Sequence, residues 1–485
     1  GRDRGYRVAV ISTPDDRDAP VRQEADDVLE VPSFLDGAAI VNAAKDYGAD
    51  VIHPGYGFLS ENSEFAARVE EAGIAYCGPQ KESMERMGNK EHAKQLANEL
   101  GVPTLESVRS DQLDAVSSLG APPFLVKAAG GGGGRGMRVV HDASKLEEVL
   151  ARASEEAAAC FGDPTVFIER FIAEPRHIEL QVLGNGEGGG IALGERECSM
   201  QRRFQKVIEE APSPVVSPEL RERMSRSALE LVRATRYRGV GTVEFLLDKD
   251  ENFYVLEVNT RLQVEHPVTE LVYGIDLVAA QLEVAEGGWP AGIEDASPSG
   301  WAIEARVLAE DPRADFLPTP GPLHRSREPA LSGVRVDSGV VEGGRVHSGF
   351  DSMIAKVIAS GASRAEACRR LSQALEAMVV HGATTNLPFL QALVRHPDFH
   401  SASFSTTWIA EHLDELNRSL LPDALAERLQ GSGFREQLRT SLHGRSERTR
   451  AAERFERLDR RFTRVFSDRE RGAIRVEGAE SDGTV

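Results

Sequence analysis

At 485 residues the chain is longer than one ordinary hydrophobic core supports, so its length predicts about three compact units that share surfaces. Its 57 basic and 77 acidic side chains leave a formal net charge of −20, which argues against a surface built to neutralise nucleic-acid phosphates or anionic lipid. The 41% hydrophobic content is evenly spread, with no run approaching the roughly 20 apolar residues of a membrane-spanning helix, and the four cysteines lack CxxC spacing.

The first residues, Gly1 to Tyr6, carry charges but no apolar signal core, which predicts a cytoplasmic address. From residue 7 to 70 the β-rich runs RVAVIST and DVIHPG alternate with the helical patterns DGAAIVNAAKDYG and NSEFAARVEEAG, a rhythm that predicts parallel strands covered by helices. This N-terminal α/β unit is bounded at residues 1–84. A helix over 82–100 then leads into a second unit, 85–171, with strands in PFLVKAA, MRVV and TVFIERFI. A larger unit, 172–415, contains the strands HIELQVL, GTVEFLLD and NFYVLEVNT. The charged tail, 416–485, predicts exposed helix and then disorder from Ser467.

The sharpest local feature is Lys127 at a strand end, followed by five glycines, Gly130 to Gly134. A loop without Cβ atoms can fold its N–H groups over phosphate oxygens, and Lys127 adds a full charge. The spacing fits neither a Walker A loop nor a dinucleotide fingerprint, and a hairpin tip is the alternative reading.

In His177-Ile178-Glu179-Leu180-Gln181-Val182 the polar residues share one face of a strand and the apolar residues the other. Glu244 sits among residues expected to be buried. Glu257 and Asn259 are expected on the face of Phe253 and Val255. Three oxygen-bearing groups on hydrophobic strands suit a hard cation such as Mg²⁺, with a buried hydrogen-bonded network as the alternative. Lys206, Arg261, Gln263 and Glu265 combine positive charge, a neutral donor and a base, as an anion that must be both bound and deprotonated requires. A solvated charged strand end would carry the same residues. Cys198 reads as a small buried hydrophobe.

Taken together, IHPGYGFLSEN (52–62), VKAAGGGGGRGMRVV (126–140), PRHIELQVL (175–183), SMQRRFQKVIEEAPSP (199–214), EVNTRLQVEHPVTE (257–270), GVRVDSG (333–339) and DSMIAK (351–356) resemble the biotin carboxylase family, alone or as the first domain of larger acyl-CoA carboxylases. The resemblance runs to about residue 415. It implies an α/β and α+β multidomain chain: an ATP-grasp fold with a truncated N-terminal α/β domain and a C-terminal biotin carboxylase subdomain. It also implies an ADP-forming ligase that uses ATP, Mg²⁺ or Mn²⁺, and bicarbonate to carboxylate carrier-bound biotin. The implied partners are a biotin carboxyl carrier, a carboxyltransferase and a second copy of the chain, with no nucleic acid or membrane.

Carried onto this sequence, the resemblance puts Lys90, Lys127, His177 and the glycines Gly131, Gly132, Gly133 and Gly134 at the ATP phosphates, Glu169, Arg170 and Ile172 at the adenine hinge, and Gln201 near the ribose. Glu244, Glu257 and Asn259 would hold the metal, with Glu179 supporting the phosphate and metal region. Lys206, Arg261, Gln263 and the Val264 backbone would hold bicarbonate, Glu265 would be the base, and Arg335 would face the biotin enolate. Phe204 replaces the family's usual His, Asn89 its Asp and Phe350 its Tyr. The family's opening strand and helix do not precede Val8 to Ser12, which predicts an exposed sheet edge, lower stability and weaker dimerisation. No Met-Lys dipeptide occurs, so biotin is expected on another chain or segment. The rival readings are another ATP-grasp ligase and a catalytically impaired nucleotide-binding relative.

Overall fold

The alternation of short strands and helices in the first ninety residues produces two pairs of parallel strands. β1 (Ala9–Ser12) pairs with β2 (Asp27–Glu30), and after α1 (Gly37–Tyr47), β3 (Val51–Ile52) pairs across α2 (Ser63–Glu71) with β4 (Ala75–Tyr76). The structure, a computed structural model, describes residues 1–128, 137–161, 163–419, 462–468 and 473–478, in two units, Gly1–Asn417 and Arg418–Val485. Side-chain caps start both helices: Asp36 accepts from the Ala39 N–H and Asn62 from the Phe65 N–H. Their apolar faces, including Ile40, Val41, Phe65 and Val69, pack on Tyr76 and Met84.

The helix expected over 82–100 is two helices, α3 (Lys81–Gly88) and α4 (Lys90–Glu99). Asn89 between them is extended, at φ −86° and ψ 122°, and its side chain accepts from the N–H groups of Glu91 and His92 at 2.9 and 3.1 Å. The cap breaks the helix because it satisfies the donors that the preceding turn would otherwise bond. Asp to Asn at this position keeps the accepting oxygen, so the replacement is tolerated.

Next comes a four-stranded antiparallel sheet in the order β5 (Ser107–Arg109), β8 (Val166–Arg170), β6 (Phe124–Ala128), β7 (Met137–Val140), with α5 (Leu146–Phe161) across it. Val126, Ile168, Leu150 and Ala157 form its core.

An eight-stranded antiparallel sheet carries the polar residues of interest. In chain order its strands are β9 (Arg176–Asn185), β10 (Gly190–Arg202), β11 (Gln205–Ala211), β12 (Arg238–Leu247), β13 (Phe253–Asn259), β14 (Trp301–Leu308), β15 (Val334–Ser338) and β16 (Met353–Gly361). They lie in the order β13-β12-β9-β10-β11-β14-β16-β15. Helix α6 (Pro218–Thr235) starts on a Ser217 cap and buries Leu220, Met224 and Leu231 against Ile178, Leu180 and Phe245. Both faces of β9 are enclosed, so His177, Glu179 and Gln181 are as buried as the aliphatic residues between them.

After the sheet's later helices, α7 (His266–Tyr273), α8 (Leu277–Ala285) and α9 (Arg364–Ala377), come α10 (Leu387–Arg395), α11 (Pro397–Ser401) and α12 (Trp408–Ser419), and the first unit ends within α12, at Asn417. Among the described residues of the second unit, β17 (Phe462–Asp468) and β18 (Ala473–Gly478) form an antiparallel hairpin where the end of an exposed helix and then disorder from Ser467 were expected; the rest of the helix expected for the tail lies outside the described residues. The alternation Ile474-Arg475-Val476-Glu477 is a period-two signal that the overall charge of the tail masked.

At Gly184 β9 runs close to the backbone of Tyr237, just before β12. A Cβ there would lie 2.1 Å from the Tyr237 carbonyl oxygen, a backbone atom that cannot swing aside. Gly184→Ala is therefore expected to destabilise the protein by about 1 to 3 kcal/mol in urea denaturation. An unchanged denaturation midpoint would show that the strand shifts freely.

Candidate active site

Strand pairing determines which polar groups meet. In the β12–β13 ladder Glu244 pairs with Glu257 and Thr242 with Asn259, but Phe245 pairs with Val255, so Leu256 is an extra residue in a bulge. The bulge reverses the alternation. Phe253, Val255 and Val258 all lie in the core, while Glu257 and Asn259 lie on the opposite face with Glu244. The expectation that Glu257 and Asn259 share a face with Phe253 and Val255 is thus corrected. Without the bulge, the acid and the amide would have pointed into the hydrocarbon core.

Lys206, near the start of β11, is the centre of the cluster. Its Nζ lies 2.5 Å from Glu179, 2.9 Å from Glu244 and 2.5 Å from Glu265. His177 Nε2 approaches the second Glu244 oxygen at 3.0 Å, and Asn259 Nδ2 donates to Glu244 at 2.9 Å. Burial opposes every charge in this group. The surrounding carboxylates nevertheless hold the Lys206 ammonium well above its ordinary pKa. For Glu244, burial is outweighed by Lys206 and His177, and for Glu265 by Lys206 and Arg306, so both carboxyls stay below the usual range. Burial, reinforced by the nearby Glu179 carboxylate, pushes the Cys198 thiol well up, in keeping with its reading as a small buried hydrophobe.

Two cations that the sequence reading missed complete the cluster. Arg196 on β10 is fully buried, pairs with Glu179 and donates to Gln181 at 2.6 Å and to Thr242 and Thr269 at 3.0 Å. Arg306 on β14 bridges Glu209 at 2.5 Å and Glu265 at 2.9 Å. Both lie inside β-patterned runs, where alternation assigns a face but does not say which neighbouring strand's acids they meet.

A cleft of about 620 Å³ opens beside this cluster, lined by residues that include Lys90, Glu257, Asn259, Arg261 and Glu61. Lys90 pairs with Glu257 at 2.7 Å. On the four-stranded sheet Glu169 is buried, and its two oxygens are held by Lys127 of β6 at 2.5 Å and by Lys94 of α4 at 3.0 Å. Burial opposes the Glu169 charge, and the lysines overcome it. Lys94 is a further cation that the motif reading passed over. Arg170 donates to the Tyr254 hydroxyl at 3.0 Å, Ile172 is buried beside it in sequence, and Gln201 contacts His177 Nδ1 at 3.4 Å. Gly131, Gly132, Gly133 and Gly134 lie outside the described residues.

The loop between β13 and α7 supplies the anion-binding candidates. Arg261 reaches Asn259 at 3.2 Å, Gln263 at 3.4 Å and Glu61 at 3.0 Å. Among the described residues Gln263 Nε2 is buried without an acceptor, as an amide poised for a ligand oxygen would be. Lys356 donates to the Val264 carbonyl at 2.7 Å, which fixes that turn of backbone. Arg335 on β15 is clamped by Glu270 at 2.7 Å and by Asp337 at 2.7 and 2.9 Å. Phe204 sits at the tip of the β10–β11 hairpin with φ 65° and 57% of its surface exposed, so its ring fills no core. Phe350 packs instead with Phe34 and Phe58, at 6.0 and 6.4 Å between ring centroids.

The donor set fits a hard cation. Glu244, Glu257 and Asn259 present side-chain oxygens from paired strands, with no soft ligand among them. In this arrangement Lys206, His177 and Lys90 neutralise those carboxylates, so a metal would share or replace their contacts.

Comparison with known proteins gives a consistent result. Residues 2–84 match the family model for the biotin carboxylase N-terminal domain, 89–289 that for the carbamoyl-phosphate synthase L chain ATP binding domain, and 304–411 that for the biotin carboxylase C-terminal domain. The chain is 41% identical over 421 residues to biotin carboxylase 1 of Bacillus subtilis, covering 84% of this chain and 94% of that one. It is 42% identical over 447 residues to the propionyl-CoA carboxylase alpha chain of Ruegeria pomeroyi, covering 85% of this chain but 66% of the relative. Among solved structures, a Campylobacter jejuni biotin carboxylase in complex with β-γ-ATP superposes with a TM-score of 0.80 at 38% identity, covering 85% of this chain and 94% of that one. The biotin carboxylase domain dimer of Hydrogenobacter thermophilus 2-oxoglutarate carboxylase, with Mg-ADP, ADP and bicarbonate, gives 0.81 at 35% identity, covering 87% and 94%.

His266, at the start of α7, yields a pH prediction. It is buried, and its Nδ1–H donates to the Gln263 carbonyl at 2.7 Å. Burial, with Lys356 and Arg335 nearby, pushes its pKa from 6.5 down to about 3. The unfolded chain therefore binds this proton between pH 6.5 and 3 while the folded chain does not, so stability falls as the pH drops through that window. From pH 6.5 to 5 this group is expected to remove about 2 kcal/mol, and His266→Asn should flatten that part of a stability–pH curve by a similar amount. Parallel curves for parent and variant would mean that His266 is charged in the fold.

Proposed function

The chain belongs to the biotin carboxylase family of ATP-dependent ligases, and on that premise we propose that it carboxylates biotin borne on another chain or segment. ATP, bicarbonate and Mg²⁺ or Mn²⁺ are consumed or required, and ADP and phosphate are released. The observation that carries the reading is the convergence of Lys206, Glu244 and Glu265 beside Arg261 and the unpartnered amide of Gln263. A bound anion there meets two cations, a free donor and an ionised base.

The steps follow from these charges. Glu265, held ionised by Lys206 and Arg306, takes the bicarbonate proton, and Arg261 and Gln263 hold the remaining oxygens. The bicarbonate oxygen then attacks the γ-phosphorus, ADP leaves, and carboxyphosphate forms. Lys90 and Lys127 offset the phosphate charge. A divalent cation on Glu244, Glu257 and Asn259 would add charge neutralisation at the same phosphates. Carboxyphosphate breaks down to CO₂ and phosphate, the phosphate takes the proton from biotin N1, and the resulting enolate captures CO₂. Arg335, permanently charged and already oriented by Glu270 and Asp337, faces that enolate.

Against the propionyl-CoA carboxylase alpha chains the sequence spans between 54% and 66% of the relatives' length. We assign the chain to the ATP-consuming step of an acyl-CoA carboxylase, with a biotin carrier, a carboxyltransferase and a second copy of the chain as partners. Functional units are assigned to residues 1–84, 85–171, 172–415 and 416–485. Among the described residues no helix is long and apolar enough to cross a membrane; we assign the site of action to the cytoplasm.

Full-length protein with Mg-ATP and bicarbonate is expected to release ADP faster when biotin is added. Glu265→Gln should bind Mg-ATP as the parent does while losing about 10² to 10⁴ in bicarbonate-dependent rate. Turnover indifferent to biotin and bicarbonate would point instead to another ATP-grasp ligase, and its absence to an impaired nucleotide-binding relative. Equal rates in parent and Glu265→Gln would assign the base elsewhere.

A further inference from the structure

Outside the active site, the last three helices of the first unit gather two imidazoles, two carboxylates and an indole. His396 caps the N-terminus of α11, its Nδ1 accepting from the Asp398 N–H at 3.1 Å. His412 and Glu415 are three residues apart on α12 and therefore share a face. His412 Nδ1 lies 2.9 Å from the Trp408 carbonyl, which can only accept, so Nδ1 carries the proton and Nε2 keeps the free lone pair.

The rings are held in place. Trp408 is 4% exposed and its Nε1 donates to Asp398 at 3.0 Å. Its indole stacks on His412 at 4.3 Å and 14° and meets His396 edge-on at 4.8 Å and 73°. Ligand atoms of His396, His412 and Glu415 all lie within 4.8 Å of one another. His396 Nε2 and Glu415 Oε1 are 3.6 Å apart. Two ligands bound tetrahedrally at about 2.0 to 2.2 Å stand about 3.4 Å apart, so this pair is already close to metal-binding separation.

We propose that His396, His412 and Glu415 form a structural site for a divalent transition-metal ion, with zinc the ion best matched to two imidazoles and a carboxylate. Asp398 completes the logic. Its Oδ2 lies 3.7 Å from His396 Nδ1 and 3.8 Å from His412 Nε2. In this arrangement His396 Nδ1 accepts from the Asp398 N–H, so Nε2 carries the ring proton; binding a metal through Nε2 gives up that cap and moves the proton to Nδ1, where the Asp398 carboxylate, 3.7 Å away, is the nearest acceptor once it turns toward the ring. Water or Asp398 fills the fourth position. The ion would pin α12 to the α10–α11 junction, and it uses none of the groups assigned to ATP, bicarbonate or biotin.

The test is zinc titration by calorimetry of the chelator-stripped full chain in excess Mg²⁺, compared with His412→Gln and Glu415→Gln. Glu415 is largely exposed, so its variant is expected to fold even if the histidine variant does not. The parent should take up a zinc equivalent that both folded variants bind at least tenfold more weakly, with a rise in melting temperature that they lack. No zinc uptake by the parent, or parent-like affinity in any folded variant, would overturn the proposal.

Discussion

The site depends on one buried ammonium. Lys206 stands among Glu179, Glu244 and Glu265 and is the main counter-charge to the burial of the last two, while Glu179 leans first on Arg196 and still sits above the usual carboxylate range. Breaking such a cluster by removing one partner typically costs about 3 to 5 kcal/mol, because an uncompensated charge is left behind. The same electrostatics that holds the strands together also keeps Glu265 ionised beside groups able to bind an anion. Stability and reactivity draw on a single arrangement, extended by Arg196 at Glu179 and by Arg306 at Glu265.

That arrangement needs an enclosed antiparallel sheet in register. β9, β12 and β13 bring Glu179, Glu244 and Glu257 into one row across neighbouring strands, and the bulge at Leu256 turns Glu257 and Asn259 toward that row. β11 then delivers Lys206 across β10. On the smaller sheet Glu169 has its own two-lysine clamp, Lys127 from β6 and Lys94 from α4. Nothing in this design requires a long-range conformational argument. The charged residues meet because their strands pair.

Much of this was legible in the sequence. The β runs of residues 176–182, 242–247 and 253–259 are strands, the first two helices lie where their periodicity put them, and the charged motif from Arg261 to Glu265 lies against Lys206 and Asn259. What was not legible has physical reasons. A bulge adds one residue without any composition signature, so the face of Glu257 was assigned by simple alternation and came out reversed. Asn89 looks like an ordinary polar residue inside a helical pattern until its cap geometry is seen. Arg196, Arg306 and Lys356 carry no motif of their own, and only the pairing of β10, β14 and β16 with their neighbours brings them to the acids and to Val264. The β17–β18 hairpin was hidden by the charge of the segment around it.

The central claim is that Lys206 and Arg306 keep Glu265 a carboxylate while it is buried. It can be measured directly by following side-chain ¹³C resonances of δ-labelled glutamate through a pH titration and assigning Glu265 by its loss in Glu265→Gln. The account predicts a resonance that stays at the carboxylate position from pH 8 down past the ordinary glutamate range near about 4.3. A Glu265 resonance that titrates above that range would contradict it, because burial would then have outweighed the two cations.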